Sequence, residues 1–233
     1  MYIEKHKIIK STKELADKYI ITQQHTDNFL IISETQTNGL GRKGQLWESP
    51  LGGLWFSLGM KHISKHICFP LFIGVCVLKA LESLKNEQDQ CFFKIKWPND
   101  VYLDDNKICG LLCASHRKLG MTNIGIGVNT NNSPAFSISI KDKLQKDINN
   151  EEFLHKILDL FFRDYLQFEA EGFQFLSAYY AEHDYLLNKR IEIETGDTRY
   201  AGNYLGLNEE GALMLQLEND IVNTFLSGTI YFL

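Results

Sequence analysis

The sequence lacks the features that mark nucleic-acid-binding, membrane-spanning and secreted proteins. Its 24 Lys and Arg residues are outnumbered by 29 Asp and Glu, so the net charge is −5 and there is no basic excess for binding nucleic acid. The longest apolar stretch, CFPLFIGVCVLKALESL, is too short and too interrupted to span a bilayer. The first residues, MYIEKHKIIKSTKE, contain no apolar segment of a signal peptide. These absences predict a cytoplasmic protein that binds neither nucleic acid nor a membrane.

Cysteine is also scarce, with five residues, an odd number. None has the C-x-x-C spacing of a common metal or redox motif, and four lie in apolar or strand-like segments. Such cysteines are typically buried free thiols in a reducing compartment. We therefore expect neither disulfides nor a metal site at Cys68, Cys76, Cys91, Cys109 and Cys113.

The pattern of apolar residues changes near residue 187. Before it, period-two and helical patterns alternate, predicting strands at 2–9, 28–36, 53–60, 91–97, 101–103, 107–116 and 121–131 and helices at 11–21, 69–86, 149–172 and 173–187. After it, short alternating segments are separated by Gly, Asn and Asp, which predicts a small antiparallel barrel of about five strands. The expected organisation is thus a domain at 1–187 and a second at 188–233.

A glycine-rich loop follows the predicted strand 28–36. Residues 39–44 read G-x-G-x-x-G, the pattern of a dinucleotide-binding turn. That turn must open a helix, yet Pro50 and the paired glycines 52–53 follow and forbid one. Two interpretations remain: an anion-binding loop carrying Arg42 and Lys43, with Trp47 placed to stack on a purine, or a solvated basic loop beside a core tryptophan.

A second group of polar residues lies in KWPNDVYLDDNKICG, residues 96–110. Asp100 either caps the turn after Pro98 or serves chemistry, and Lys107 is either a solvent-facing lysine or a cation fixed over a cleft. Further on, Gly125 and Gly127 lie two residues apart in a predicted strand, which often marks close approach of a ligand or of neighbouring backbone.

Taken in order, four segments resemble biotin protein ligase, the catalytic domain shared with holocarboxylase synthetase. They are Ser11-Thr12 at a helix start, QTNGLGRKGQLWESPLGGLWFS (36–57), KWPNDVYLDDNKICGLL (96–112) and GIGVNTN (125–131). The resemblance implies an α+β fold, a mixed β-sheet backed by helices as in class II synthetase-like enzymes, with a small C-terminal SH3-like β-barrel. It also implies that biotin's carboxylate attacks the α-phosphate of ATP, and that a carrier lysine then attacks the biotinyl-5′-AMP formed.

The resemblance assigns roles to individual residues. Lys107 bridges the biotin carboxylate and the α-phosphate, Arg42 closes over the adenylate, and Asp100 orients or deprotonates the acceptor lysine. Fixed cations offset the repulsion between the two anionic substrates, and Mg²⁺ held by the ATP phosphates covers the leaving pyrophosphate. The implied biotin-binding residues are Ser11, Thr12, Lys13, Gln36, Gly39, Leu40, Gly41, Arg42, Lys107, Gly110, Gly125 and Gly127, and the adenylate-binding residues are Arg42, Trp47, Asn99, Lys107 and Asn129.

Three positions depart from the family's pattern. Family loops often run G-R-G-R-x-x-R, whereas Leu40 and Gln45 replace the first and last arginine here, and Lys13 stands where Asn is frequent. The loop substitutions suggest a non-catalytic biotin or nucleotide sensor as one alternative. A lipoate or octanoate ligase or transferase of the same superfamily is another, although no arginine-rich segment leads into a run of three glycines.

The implied partner is a biotin carboxyl carrier protein, of acetyl-CoA carboxylase or a related biotin-dependent enzyme. Some members of the family carry an N-terminal helix-turn-helix domain and act as repressors. Only ten residues precede Ser11 and the chain is acidic, so we expect a ligase-only type without a repressor role. Monomer and homodimer are both open, because one sequence does not identify its edge strands.

Overall fold

The computed structural model describes residues 1–132, 134, 137–218 and 220–233. The strands are β1 (Tyr2–Ile9), β2 (Phe29–Leu40), β3 (Leu46–Ser49), β4 (Leu54–Met60), β5 (Phe93–Lys96), β6 (Asp100–Leu103), β7 (Asn106–His116), β8 (Met121–Val128), β9 (Arg190–Thr195), β10 (Thr198–Leu207), β11 (Leu213–Gln216), β12 (Val222–Phe225) and β13 (Thr229–Phe232). The helices are α1 (Thr12–Ile21), α2 (Phe69–Glu82), α3 (Ile140–Leu144), α4 (Asn150–Glu171) and α5 (Gln174–Glu182), with 3-10 turns at Arg42–Gly44 and Arg117–Leu119. Each predicted strand and helix is present, and β3 and α3 are additional.

The first sheet has the strand order β1-β2-β4-β8-β7-β6-β5, with β3 pairing with β2. β1 runs parallel to β2, and the other neighbours are antiparallel. The predicted mixed sheet is therefore confirmed. Because β3 turns back along β2 directly after the glycine-rich loop, the extended chain after Gly44 also confirms that no helix follows this loop.

Helices cover both faces of this sheet. Successive side chains of β2 point to opposite faces, so Phe29 and Ile31 pack under α1 while Leu30 joins the main core. In that core α2 packs against α4 and α5, and the rings of Phe72 and Phe168 stack with centroids 4.4 Å apart. Among the described residues, no helix is long and apolar enough to cross a membrane.

The second sheet is antiparallel, with the order β12-β11-β10-β9-β13. Its five strands correspond to the five predicted segments after Asn188. Ile191, Ile193 and Leu213 are fully buried in the same apolar cluster as the core of the first sheet, so the two sheets share one continuous core. The division of the chain into two domains at residue 187 stays a prediction.

The five cysteines are free thiols, as predicted. Four are buried, and Cys113 is partly exposed. Burial raises the pKa of the Cys68 and Cys113 thiols to about 12, which keeps both protonated near neutral pH.

Asp184 forms a polar connection between the two sheets inside this core. Its carboxylate accepts hydrogen bonds from the Tyr204 hydroxyl of β10 at 2.7 Å, from the Leu186 backbone N–H at 2.8 Å and from the Tyr180 hydroxyl of α5 at 3.5 Å. Burial raises the pKa of Asp184 above its ordinary value, although these hydrogen bonds oppose the shift. The folded protein therefore holds a proton on this carboxyl at a pH where the unfolded chain has lost it.

We expect Asp184 to make stability decrease as pH rises. The contribution of Asp184 to the free energy of unfolding is complete below the pKa of about 4 that the residue has in the unfolded chain. It is lost as pH rises through the higher pKa of the folded protein. Asp184→Asn should flatten this slope and cost about 1–3 kcal/mol through poorer bonding to the tyrosines. Urea unfolding at several pH values measures both effects. An Asp159→Asn variant, at an exposed position of α4, is the control, and an unchanged slope in Asp184→Asn would refute the assignment.

Candidate active site

Strand register brings three of the predicted site residues into one row. Asp100 of β6 lies opposite Gly110 of β7, and Gly110 lies opposite Gly127 of β8. Between the Val101–Cys109 and Tyr102–Lys107 pairs, β7 contains one extra residue, Ile108. Such a bulge reverses the alternation of the strand, so Lys107 points to the same face as Gly110 instead of the opposite one.

Lys107 is held from two sides on this face. Its Nζ forms an ion pair with Asp100 Oδ1 at 2.7 Å and lies 5.1 Å from the centroid of the Trp47 ring. The lysine side chain is 36% exposed, so the ammonium remains accessible to a ligand while its direction is constrained. Of the two interpretations of Lys107, this position matches the cation fixed over a cleft and not the solvent-facing lysine.

Arg42 enters the same cavity from the glycine-rich loop. The loop is closed by two backbone hydrogen bonds, from Gly41 N–H to Gln45 O at 2.8 Å and from Gln45 N–H to Arg42 O at 3.1 Å. Arg42 Nη1 donates to Asn99 Oδ1 at 3.1 Å, and Asn99 in turn donates to the Leu111 carbonyl. Burial lowers the pKa of Arg42 and the nearby charge of Asp100 opposes the shift, so the guanidinium stays charged.

Trp47 forms the floor of the site together with two glycines. A Cβ at Gly127 would lie 2.4 Å from the indole Nε1, and a Cβ at Gly110 would lie 3.0 Å from the six-membered ring. Gly127 thus excludes a side chain because the indole lies directly on its backbone, whereas a side chain at Gly110 would require the indole to shift by a few tenths of an ångström. The indole Nε1 is buried and has no hydrogen-bond partner within the described part of the chain. The resemblance places the Trp47 ring near an adenine and Gly110 and Gly127 beside a ligand, and both roles stay predictions.

The start of α1 closes the other end of the site. Ser11 caps the helix by accepting from the Glu14 N–H at 3.4 Å. Gln36 Oε1 accepts from the Thr12 N–H at 2.8 Å and from the Thr12 hydroxyl at 3.1 Å, and Ser57 donates to that hydroxyl. Because Ser11 and Thr12 are almost fully buried, this network fixes the direction in which the helix start faces the cavity.

Lys13 also borders the cavity, although its charge is already paired. Its Nζ lies 2.7 Å from Asp17 Oδ2, and the lysine side chain is 12% exposed. Asp17 additionally accepts from Asn123 and contacts His116. Burial acts to raise the pKa of Asp17, but these bonds outweigh it and lower the pKa, so the ion pair persists at neutral pH. Lys13 therefore contributes its methylene groups beside Gly125, while its charge stays paired with Asp17.

Most of the predicted site residues line one cavity. They are Ser11, Thr12, Lys13, Gln36, Leu40, Gly41, Arg42, Trp47, Asn99, Asp100, Lys107, Gly110, Gly125 and Gly127. Gly39 and Asn129 are not among its lining residues. A Cβ at Gly39 would meet the Trp47 carbonyl at 2.3 Å, so this glycine serves the packing of β3 on β2. Asn129 is buried and donates to the Ser137 hydroxyl at 3.1 Å.

Sequence reasoning missed several lining residues. Phe56, Leu111, Leu112 and Ile126 come from strands of the first sheet, where period-two alternation beside the predicted glycines could have indicated some of them. Leu46 follows the glycine-rich loop, in which the sequence had indicated Lys43 and Gln45 without assigning them a place in the site, and all three line the cavity. Thr229 comes from the second sheet and had no local signal.

The described residues contain no group of three or more His, Cys, Asp and Glu side chains arranged to hold a metal ion. Asp100 is the acidic side chain that lines the cavity, and it is paired with Lys107. The described side chains therefore do not form a resident Mg²⁺ site.

The cavity is lined by the cations Arg42 and Lys107 and by the start of α1. These groups suit an anionic ligand that also has a polar, uncharged end.

The chain belongs to the biotin/lipoate A/B protein ligase family, whose model matches residues 6–131. It is 25% identical over 231 residues to the bifunctional ligase/repressor BirA of Bacillus subtilis, covering 93% of this chain and 70% of that protein. It is also 25% identical over 199 residues to the biotin–[acetyl-CoA-carboxylase] ligase of Paracoccus denitrificans, covering 80% of this chain and 83% of the relative.

A solved structure shares nearly the whole fold. The biotin protein ligase from Aquifex aeolicus in complex with biotin and ATP superposes with a TM-score of 0.84 and 25% identity. The match covers 99% of this chain and 97% of that chain, and so includes both sheets.

Proposed function

We propose that this chain is an ATP-dependent biotin protein ligase, which forms biotinyl-5′-AMP and transfers biotin to a lysine of a biotin carboxyl carrier protein. The observation that carries the proposal is a cavity lined by two cations, the Lys107 ammonium paired with Asp100 and the Arg42 guanidinium bonded to Asn99. The names of the relatives, which include a biotin–[acetyl-CoA-carboxylase] ligase, support biotin as the acid that is activated. Biotin-dependent exchange of pyrophosphate into ATP tests the first half-reaction.

The geometry suits the first step, in which a biotin carboxylate oxygen bonds to the α-phosphorus and pyrophosphate leaves. Both reactants are anionic, and a cation fixed between them stabilises the charge that gathers in the transition state. Lys107 is placed for this role, because its ammonium is directed by Asp100 and Trp47 without being buried. Mg²⁺ bound to the ATP phosphates would neutralise part of the charge on the departing pyrophosphate.

Asp100 is placed for the second step. Substrate anions also attract the Lys107 ammonium, which weakens its ion pair with Asp100. The Asp100 carboxylate can then accept a hydrogen bond from the carrier lysine. The lysine amine then attacks the biotinyl carbonyl carbon, the bond to the phosphate oxygen breaks, AMP leaves and the amine proton passes to a base. Asp100 orients the amine and receives this proton.

The segment 38–48, which contains the glycine-rich loop, is proposed as a lid over the adenylate. An acyl-adenylate hydrolyses readily unless water is excluded, and a loop with several glycines can open and close. Arg42 would close with the lid, while Leu40 and Gln45 contribute backbone groups and shape instead of charge.

We expect protease to cut within residues 38–48 quickly in the free protein and slowly in the presence of biotin and Mg-ATP. Ligand contacts with Arg42 would hold the lid in one conformation, and ordered backbone is a poor protease substrate. Timed digestion followed by mass spectrometry measures the rate of cutting. Biotin without nucleotide is the control, and equal rates under all conditions would count against a closing lid.

Two other functions make different predictions. A lipoate or octanoate ligase or transferase would modify the same kind of carrier lysine with a different acid. A non-catalytic biotin sensor, suggested by Leu40 and Gln45, would bind biotin without supporting pyrophosphate exchange. The short polar network at Ser11, Thr12 and Gln36 favours a ligand with a hydrogen-bonding ring, such as the ureido ring of biotin, over a simple acyl chain.

Further parts of the proposal concern the whole protein. We infer that the second sheet closes into an SH3-like barrel, that the acceptor belongs to acetyl-CoA carboxylase or a related enzyme, and that the ligase is cytoplasmic.

A further inference from the structure

The second sheet borders the candidate active site at the glycine-rich loop. Lys43, the residue after Arg42, forms an ion pair with Glu194 of β9, with Nζ and Oε1 3.2 Å apart. Thr229 of β13, the register partner of Glu194, lines the cavity itself. One edge of this sheet therefore lies within reach of both the lid and the ligand cavity.

Lys43 has a backbone conformation that normally favours glycine. Its φ is 53° and its ψ is 28°, in the left-handed region that other residues adopt at a cost. Glycines stand one residue after it and two residues before it, so the loop has glycine at neighbouring positions but lysine at this one. Lysine at this position forms an ion pair that glycine could not form.

Glu194 is well suited to hold that side chain. Its other oxygen, Oε2, accepts from Arg199 Nη2 at 2.9 Å and from the Tyr231 hydroxyl at 3.4 Å, which fixes the carboxylate and leaves Oε1 directed at Lys43. Hydrogen bonds from Lys43 and then from Arg199 lower the pKa of Glu194, so it is ionised across the neutral range.

We propose that Glu194 is a positioning residue for the lid: it holds Lys43 on the second sheet so that the adjacent Arg42 faces Asn99 and Asp100. This inference rests on the proposed function, and it gives the second sheet a role in the reaction. Anchoring one side chain of the turn restricts the rotation of the whole turn. The guanidinium of Arg42 is then presented to the site before ligand arrives, and escape of the adenylate requires this ion pair to break.

The expected effect is modest because the pair is partly solvated. The lysine side chain is 54% exposed and the glutamate side chain 23% exposed. Such pairs change an equilibrium by about two- to fivefold at low salt, and the effect declines as salt screens the charges.

The test compares Glu194→Gln with Glu192→Gln. Glu192 lies on the same strand and also pairs with Arg199, at 3.0 Å, but within the described part of the chain it forms no hydrogen bond or ion pair with the lid. Thermolysin digestion of the ligand-free proteins reports lid opening. Every variant keeps Leu40 and Leu46, the apolar cleavage positions in the lid, so a change in the rate of cutting reflects a change in opening. We expect about two- to fivefold faster cutting within 38–48 for Glu194→Gln at low salt, a similar acceleration of biotinyl-AMP release, and wild-type behaviour for Glu192→Gln. Equal behaviour of the two variants would overturn the proposal.

A double-mutant cycle with Lys43→Gln provides the second measurement. If the pair acts as a unit, the double variant opens no faster than either single variant, and the difference from wild type disappears in about 1 M salt. Additive effects would overturn the proposal. Digestion requires no turnover, so it decides this inference even if the wild-type protein forms no biotinyl-AMP, the result that would instead refute the proposed function.

Discussion

Replacing Lys107 with Ala should reduce biotinyl-AMP formation by about 10²–10³-fold, the usual effect of removing one preorganised electrostatic contact to a transition state. The ammonium is fixed between Asp100 and the Trp47 ring, and a water molecule in its place would carry no charge to offset two approaching anions. Pyrophosphate exchange at saturating biotin and ATP measures the rate of this step.

The same variant should remain folded. The ion pair with Asp100 is partly exposed and contributes no more than about 1 kcal/mol to the free energy of unfolding. Lys118→Ala, at an exposed position of the turn 117–119, is the matched control. Near-normal exchange in a folded Lys107→Ala protein would remove Lys107 from the reaction.

Replacing Arg42 with Gly should separate adenylate formation from its retention. The variant loses the bond to Asn99 and the guanidinium that the lid carries, so biotinyl-AMP should leave the protein before a carrier arrives. The released anhydride reacts with any accessible lysine, and biotinylation should spread to unrelated proteins. Filtration of adenylate from the protein, and a blot of a mixed-protein reaction for biotin, measure the two effects.

The control for this prediction is Arg117→Gly, which removes one exposed arginine from a turn outside the cavity. It should keep both the adenylate and the choice of target. If Arg42→Gly modifies the carrier alone and releases adenylate no faster than this control, then the lid does not act through Arg42.

The sequence predicts local features of the site well. The helix start at Ser11 and the extended chain after Gly44 depend on capping and on Pro50, which act within a few residues. The resemblance to a known family added the roles of Lys107 and Arg42, and the cavity contains both. The alternating segments after residue 188 likewise predicted five strands, because period two reflects one buried face of each strand.

Features that depend on register and on distant contacts could not be predicted. The bulge at Ile108, which turns Lys107 toward Gly110, arises from the pairing of β6 with β7. The position of Trp47 on Gly127 depends on how β3 folds back on β2. The pair between Lys43 and Glu194 joins residues 151 positions apart, which no local pattern indicates.

The measurement that tests the account most directly is mass spectrometry of an apo carrier domain incubated with this protein, Mg-ATP and either biotin or lipoate. The account predicts a single addition of biotin on one lysine, dependent on ATP, and no addition of lipoate. Addition of lipoate alone would identify a lipoate ligase, and biotin binding without any modification of the carrier would contradict the account.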